Sequence, residues 1–342
     1  MQIAVIGCGR IAMAHLSAIA ETPSFHLAAL CDADEPTLSR AASTWSELAR
    51  GHSLHNTQPK LFTDYQHILS ELNINAVVLC TPPVTHAPIA MDLLERGIHV
   101  LCEKPLATRA EDARKMIAAA RSRNAHLTLA SKFRFVDDVI RAHRMLHRGE
   151  LGDVIFFHCS FCQPVDMSGR WNAVPDVSGG GVLMDNGPHA IDIAQFLLGP
   201  IQQVQVRFSS SSQNLGVEDT AHLSFCTGGG VSGDICLSWS AFGASNYISV
   251  HGTRGSIELG WNRSHYHGAR STHSEMFATG GYNKHAAFLG QMQAFAACLK
   301  GERQNAVPLH DALSAVEVIE AAYAAVHTAS CTGCNRTSTD DT

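Results

Sequence analysis

The chain has 342 residues, a formal charge of −6, 45% hydrophobic residues and 16% charged residues, too long for one ordinary domain and too apolar for a mainly disordered chain. It contains no basic block suited to a phosphate backbone and no run of roughly 18 uncharged apolar residues, so neither nucleic acid nor a membrane is an expected partner. The eleven cysteines are scattered, and Gly7, Gly9 and Arg10 break the apolar start of the chain, which together predict reduced thiols, no targeting segment and a cytoplasmic location.

In chain order, short apolar runs at residues 3–6, 27–31, 76–80, 99–101 and 127–130 read as strands. They alternate with helical spacing at 12–20, 37–48, 88–96 and 110–121. This is the α/β signature of a doubly wound parallel sheet, assigned to residues 1–130. From Gly152 longer alternating runs follow one another, at 204–208, 221–225, 235–239 and 248–250. They predict a mostly antiparallel open sheet in an α+β domain over 131–328. A helix at 181–198 interrupts that half, and two more, at 286–299 and 311–326, close it. Residues 329–342 lack apolar periodicity and read as a disordered tail.

Gly7-Cys8-Gly9-Arg10-Ile11-Ala12 follows the first strand and opens a helix, the G-x-G-x-x-A pattern of a Rossmann dinucleotide site. Gly7 allows the tight turn and Gly9 a close backbone approach to pyrophosphate, while Arg10 and Ile11 open the helix whose free N–H groups face the anion. Asp32 ends the second strand, where a carboxylate accepts from both ribose hydroxyls and repels a 2′-phosphate. NAD is therefore expected rather than NADP. After Cys80, Thr81 and Pro82 are placed to wall the nicotinamide half, and His86 either joins them or caps the next helix.

At Glu103-Lys104-Pro105 the chain begins to resemble the Gfo/Idh/MocA oxidoreductases. Ser178-Gly179-Gly180-Gly181-Val182-Leu183-Met184-Asp185-Asn186-Gly187-Pro188-His189-Ala190-Ile191-Asp192 resembles that family's G-G-G-x-L-x-D-x-G-x-H-x-x-D segment. The resemblance spans residues 1–328. It implies a nicotinamide-binding domain, to which Glu103 and Lys104 also contribute, and a second domain whose open sheet serves substrate binding and assembly into homodimers or homotetramers. The residues agree chemically: Asp185, His189 and Asp192 share one face of a helix. Oxidising a secondary alcohol needs a base, for which the imidazole of His189 titrates in the right range. Lys104 stabilises the developing alkoxide, Asp185 orients the substrate or His189, and Asp192 reads as structural. The expected reaction is NAD-dependent oxidation of a sugar, amino sugar, sugar phosphate or cyclitol, as in the inositol dehydrogenases. The alternatives are a tightly bound NAD recycled in place, giving oxidoreduction between two sugars or epimerisation, and a non-catalytic dinucleotide-responsive sensor.

Lys132, Arg170, Trp171 and Tyr247 complete the candidate substrate set, with a bland reading beside two of them, a solvent-facing lysine for Lys132 and a loop anchor for Trp171. Lys132 suits a phosphate or carboxylate. No metal is expected. His265 and His267 would merely line one face of a strand, Cys159 and Cys162 point to opposite faces of a strand and read as core, and Cys331 and Cys334 fall in the tail.

Overall fold

The computed structural model describes residues 1–52, 58–209, 212–269, 275–278 and 281–330. Cys331 and Cys334 lie outside them.

The first part of the chain runs β1 (Gln2–Ile6), α1 (Ala12–Ala20), β2 (His26–Cys31), α2 (Glu35–Gly51), β3 (Lys60–Phe62), α3 (Tyr65–Glu71), β4 (Ala76–Leu79), α4 (His86–Glu95), β5 (His99–Cys102), α5 (Ala110–Ser122) and β6 (Leu127–Leu129). Its strands form a parallel six-stranded sheet in the order β3-β2-β1-β4-β5-β6. The strand order reverses between β2-β1 and β4, which opens a crevice at the carboxyl ends of β1 and β4. Both faces are covered, so β4 is buried at all four positions, Ala-Val-Val-Leu, the continuous apolar run such a sheet demands. At α2 the start is fixed locally: Asp34 accepts from the Thr37 amide and a proline sits in the first turn. Neither β3 nor α3 is expected from the sequence, because Lys-Leu-Phe is too short to show a period.

The second part runs α6 (Asp137–His147), β7 (Val154–Cys162), α7 (Pro175–Ser178), α8 (Val182–Leu198), β8 (Ile201–Phe208), β9 (Thr220–Thr227), β10 (Ser232–Ser238), β11 (Asn246–Gly252), β12 (Gly255–Gly260), β13 (Ser264–Gly268), β14 (Glu275–Ala278), α9 (Lys284–Leu299) and α10 (Leu309–Ser330). An eight-stranded sheet results, in the order β14-β13-β12-β11-β7-β10-β9-β8, antiparallel except for the β7–β10 pair. Helix α8 packs on one face through Leu183, Ile191 and Ala194, which share a core with Phe157, Leu223 and Leu237. On the other face stand His158, His222, Ser224 and Asp234, half-buried or exposed.

The last two helices return to the parallel sheet. Phe288, Met292 and Phe295 of α9 share a core with Leu16 and Ile19 of α1, and Ala312 and Val316 of α10 join the core of α4 and α5. A buried ion cluster ties three segments together: Arg134 donates three bonds to Asp192 of α8 and a fourth to Asp311 of α10. Asp192 thus serves the scaffold. β7 separates its two cysteines as expected, but only Cys159 is core. Cys162 is half-buried, its sulfur 3.7 Å from that of Cys236.

Candidate active site

Between the carboxyl ends of β1, β4 and β5 and the inner edge of the second sheet lies a cavity of about 900 Å³, within the usual size for small-molecule sites. Gly9, Arg10 and Ile11 form one wall, Thr81, Glu103 and Lys104 a second, and Lys132, Asp185, His189, Arg170 and Trp171 complete it.

The glycine turn fits a dinucleotide. Gly7 has φ +87°, and a Cβ there would sit 2.6 Å from the Cys80 carbonyl carbon, so the turn lies directly on the end of β4. Gly9 has open space where a Cβ would go, and among the described residues the Gly9, Arg10 and Ile11 amides make no backbone bond. Three donors at a helix start are free for an anion. Asp32 accepts from the Cys8 amide through one oxygen and from the Asp34 amide through the other. Four lone-pair sites leave it capacity for ribose hydroxyls.

Gly7, Asp32, Pro82, His86 and Tyr247 stand off the cavity wall. For Gly7 and Asp32 the reason is position at the turn and its flank. His86 is a correction: its ring is fully buried, with Nδ1 2.8 Å from the Pro105 carbonyl and Nε2 2.8 Å from that of Thr81. It ties the β4 and β5 loops together, and burial holds its pKa below the ordinary value. Nor does it cap α4 through its side chain. Pro82 carries the turn that Thr85 closes by donating to its carbonyl. Tyr247 is fully buried behind the wall, stacked on Phe161 and tilted against Trp261.

At the centre, Lys104 Nζ donates to the carbonyl and to Oδ1 of Asp185, both at 2.6 Å. Asp185 therefore orients Lys104 and not His189, which departs from one of the expectations above. His189 lies one helical turn further along α8, edge-on to Phe133. Burial and the charges of Lys132 and Lys104 hold its pKa well below the ordinary value. Both effects favour the neutral imidazole. Glu103 is buried and bonded to His15 at 2.8 Å. Burial pushes its pKa up, but His15, Lys104 and Lys132 outweigh it and keep the carboxyl below its usual range.

The start of α8 explains the glycine run. The Gly181 and Leu183 amides donate to the Glu218 carboxylate and the Val182 amide to the Glu218 carbonyl, while Tyr323 donates to the same carboxylate at 2.6 Å. A Cβ on Gly181 would collide with the Glu218 carbonyl, and one on Gly180 with the Tyr323 hydroxyl. Neither partner carries a sequence signal, since both arrive from distant elements. The cavity also takes in residues that no motif marks: Phe242, 91% exposed at the mouth, and Tyr282, Lys284 and Phe288. Among the described residues no group of three or more metal-ligating side chains is present, and no helix among them is long and apolar enough to cross a membrane.

Fold and site together define an NAD(P)-dependent oxidoreductase. Residues 1–131 match the oxidoreductase family model with an NAD-binding Rossmann fold, and residues 139–258 match the GFO/IDH/MocA C-terminal domain; the chain belongs to the Gfo/Idh/MocA family. Levoglucosan dehydrogenase of Pseudarthrobacter phenanthrenivorans is 26% identical over 293 residues, 77% of this chain and 74% of that one. The 1,5-anhydro-D-fructose reductase of Ensifer adhaerens is 30% identical over 226 residues, 63% and 66% of the two chains. A solved levoglucosan dehydrogenase in complex with NADH and levoglucosan has a TM-score of 0.84 at 21% identity, covering 96% of this chain and 97% of that one, and thereby supports the fold.

Proposed function

We propose that the protein is an NAD-dependent dehydrogenase that oxidises a secondary hydroxyl of a sugar, amino sugar, sugar phosphate or cyclitol. The observation that carries this reading is the pairing of Lys104 with Asp185 one helical turn from His189, in a cavity that the glycine turn also lines. When bound, NAD supplies the hydride acceptor; Gly9, Arg10 and Ile11 would hold its pyrophosphate and Asp32 its ribose. Asp32 favours NAD because its carboxylate repels a 2′-phosphate.

Two protons of the Lys104 ammonium point to Asp185; the third remains for a substrate oxygen. A hydroxyl held there passes its proton to the neutral His189 while negative charge builds on its oxygen. Lys104 stabilises that charge without moving, because Asp185 fixes it beforehand. In the reducing direction the imidazolium returns the proton to the carbonyl oxygen. The uncovered face of the second sheet, with His158, His222, Ser224 and Asp234, supports self-association, which light scattering of the eluting protein measures.

The test is NADH formation at 340 nm with NAD and a panel of inositols, hexoses, hexose phosphates and amino sugars. Turnover that drops by at least about a hundredfold in Lys104→Ala supports the reading. Unchanged turnover in that variant removes lysine from the mechanism, and tight NAD binding without turnover on any panel member turns the reading towards a cofactor recycled in place or a sensor.

A further inference from the structure

Resting on the dehydrogenase reading, the charge balance of the cavity narrows its substrate. Among the described residues five cations line it, Arg10, Lys104, Lys132, Arg170 and Lys284, against two acids, Glu103 and Asp185. Both acids are engaged, Glu103 with His15 and Asp185 with Lys104. Lys132 is left over. Among the described residues no carboxylate lies within 4.0 Å of it and it makes no hydrogen bond. Its ammonium is instead caged by three ring faces, 5.3 Å from the centroid of Phe133, 5.8 Å from Tyr282 and 5.7 Å from Phe288. Lys284, also without an ion-pair partner there, stands 5.9 Å from the same Phe288 ring.

Two like charges around one ring, Lys132 half-buried among aromatics and Lys284 exposed at its edge, form an arrangement that an oxyanion completes. The location is close to the chemistry, because the Phe133 ring meets both the Lys132 ammonium and the His189 ring. The expected pyrophosphate seat is at the glycine turn with Arg10, a different part of the wall. We infer that the substrate carries an anionic group, a carboxylate or a phosphate, and that Lys132 receives it with Lys284 alongside. Burial and the Lys104 and Lys284 charges bring the Lys132 pKa down to about 8, against the opposing pull of Glu103 and Asp185. A lysine set among aromatic rings with no carboxylate beside it behaves in this way, and a bound anion would reverse it.

The experiment is calorimetric titration of the NADH-loaded protein with matched triplets such as glucose, glucuronate and glucose 6-phosphate, together with their galacto and 2-acetamido counterparts. In at least one triplet a charged member should bind at least about tenfold tighter than its neutral parent, and that ratio should fall close to one in Lys132→Met and survive in Lys132→Arg. Preference for the uronate places a carboxylate at Lys132, and preference for the ester places a phosphate there. The inference is overturned if no charged member gains in any triplet, if the gain survives Lys132→Met, or if Lys132→Met weakens NADH by the same factor, which would make Lys132 a cofactor contact. Because binding is read apart from turnover, a preference without NADH formation would refute the dehydrogenase reading and leave the anion subsite standing.

Discussion

Glu218 offers the sharpest test of how the site is held. Its carboxylate and carbonyl take up three successive amides at the start of α8, those of Gly181, Val182 and Leu183, which a helix of this kind otherwise leaves without partners. A carboxylate also complements the positive end of the helix that carries Asp185 and His189. Glu218→Ala keeps the carbonyl bond but removes the carboxylate acceptor from the Gly181 and Leu183 amides and the Tyr323 hydroxyl. Loss of a capping acceptor costs roughly 0.5–2 kcal/mol, and a buried donor left without a partner about 1–3 kcal/mol. Gly181 retains a second contact, to the Tyr323 oxygen at 3.2 Å, so the expected total lies at about 3 kcal/mol rather than at the sum. Glu218→Gln keeps one acceptor oxygen and should cost about 1 kcal/mol.

Urea unfolding of the three proteins measures this, and NADH formation on the same samples measures its effect on the site. A shift of Asp185 and Lys104 by a fraction of an ångström lowers kcat by about tenfold or more, whereas NAD affinity stays unchanged because the glycine turn is on another element. If Glu218→Ala unfolds within about 0.5 kcal/mol of wild type, the cap is not what holds α8. If stability falls but kcat does not, α8 keeps its geometry without Glu218.

Three further outcomes follow from the same structure. His189 has to be neutral to accept a proton, and its pKa lies well below the ordinary value. The acid limb of kcat/KM should therefore fall well below pH 6.5, and Lys132→Met, which removes one of the charges depressing that pKa, should move the limb upward; a limb that stays put or moves down contradicts the assignment. Asp32→Ala should weaken NAD by about tenfold and NADP by less, as read by cofactor fluorescence titration, with equal losses counting against the ribose contact. Asp192→Ala leaves the buried Arg134 with Asp311 alone and should cost about 3–5 kcal/mol in urea unfolding; a loss below about 1 kcal/mol would show that the cluster relaxes.

What the sequence shows and what it hides divide along one line. The glycine turn is legible because its chemistry is contiguous: Gly7, Gly9 and the start of α1 lie within six residues, and Asp32 follows one strand later. Asp185 and His189 share a helical period, and their spacing alone places them on one face. α6 is missed although its acidic first turn and basic last turn are local signals, and β12 and β14 are missed because runs of six and four residues are too short to show a clear period. Tyr247 and His86 illustrate a different limit, since a polar side chain beside a site can face it or support it from behind, and only the packing decides. For Tyr247 that packing is a wall of Phe133, Phe161 and Trp261.

The triple glycine is the instructive case. As a pattern it points to the family, but its physical reason sits 37 and 142 residues further along the chain, in Glu218 and Tyr323. Neither residue belongs to a motif, and each gains its role only when the second sheet and α10 close against α8. Lys132 and Lys284 follow the same logic. Lys132 is a substrate candidate in sequence whereas Lys284 carries no signal, and the two charges meet only because the turn after β6 and the first residue of α9 come together at the Phe288 ring. The glycine turn and the spacing of Asp185 and His189 are thus written locally, whereas the contacts that bring Glu218 to α8 and Lys284 beside Lys132 join elements far apart in sequence.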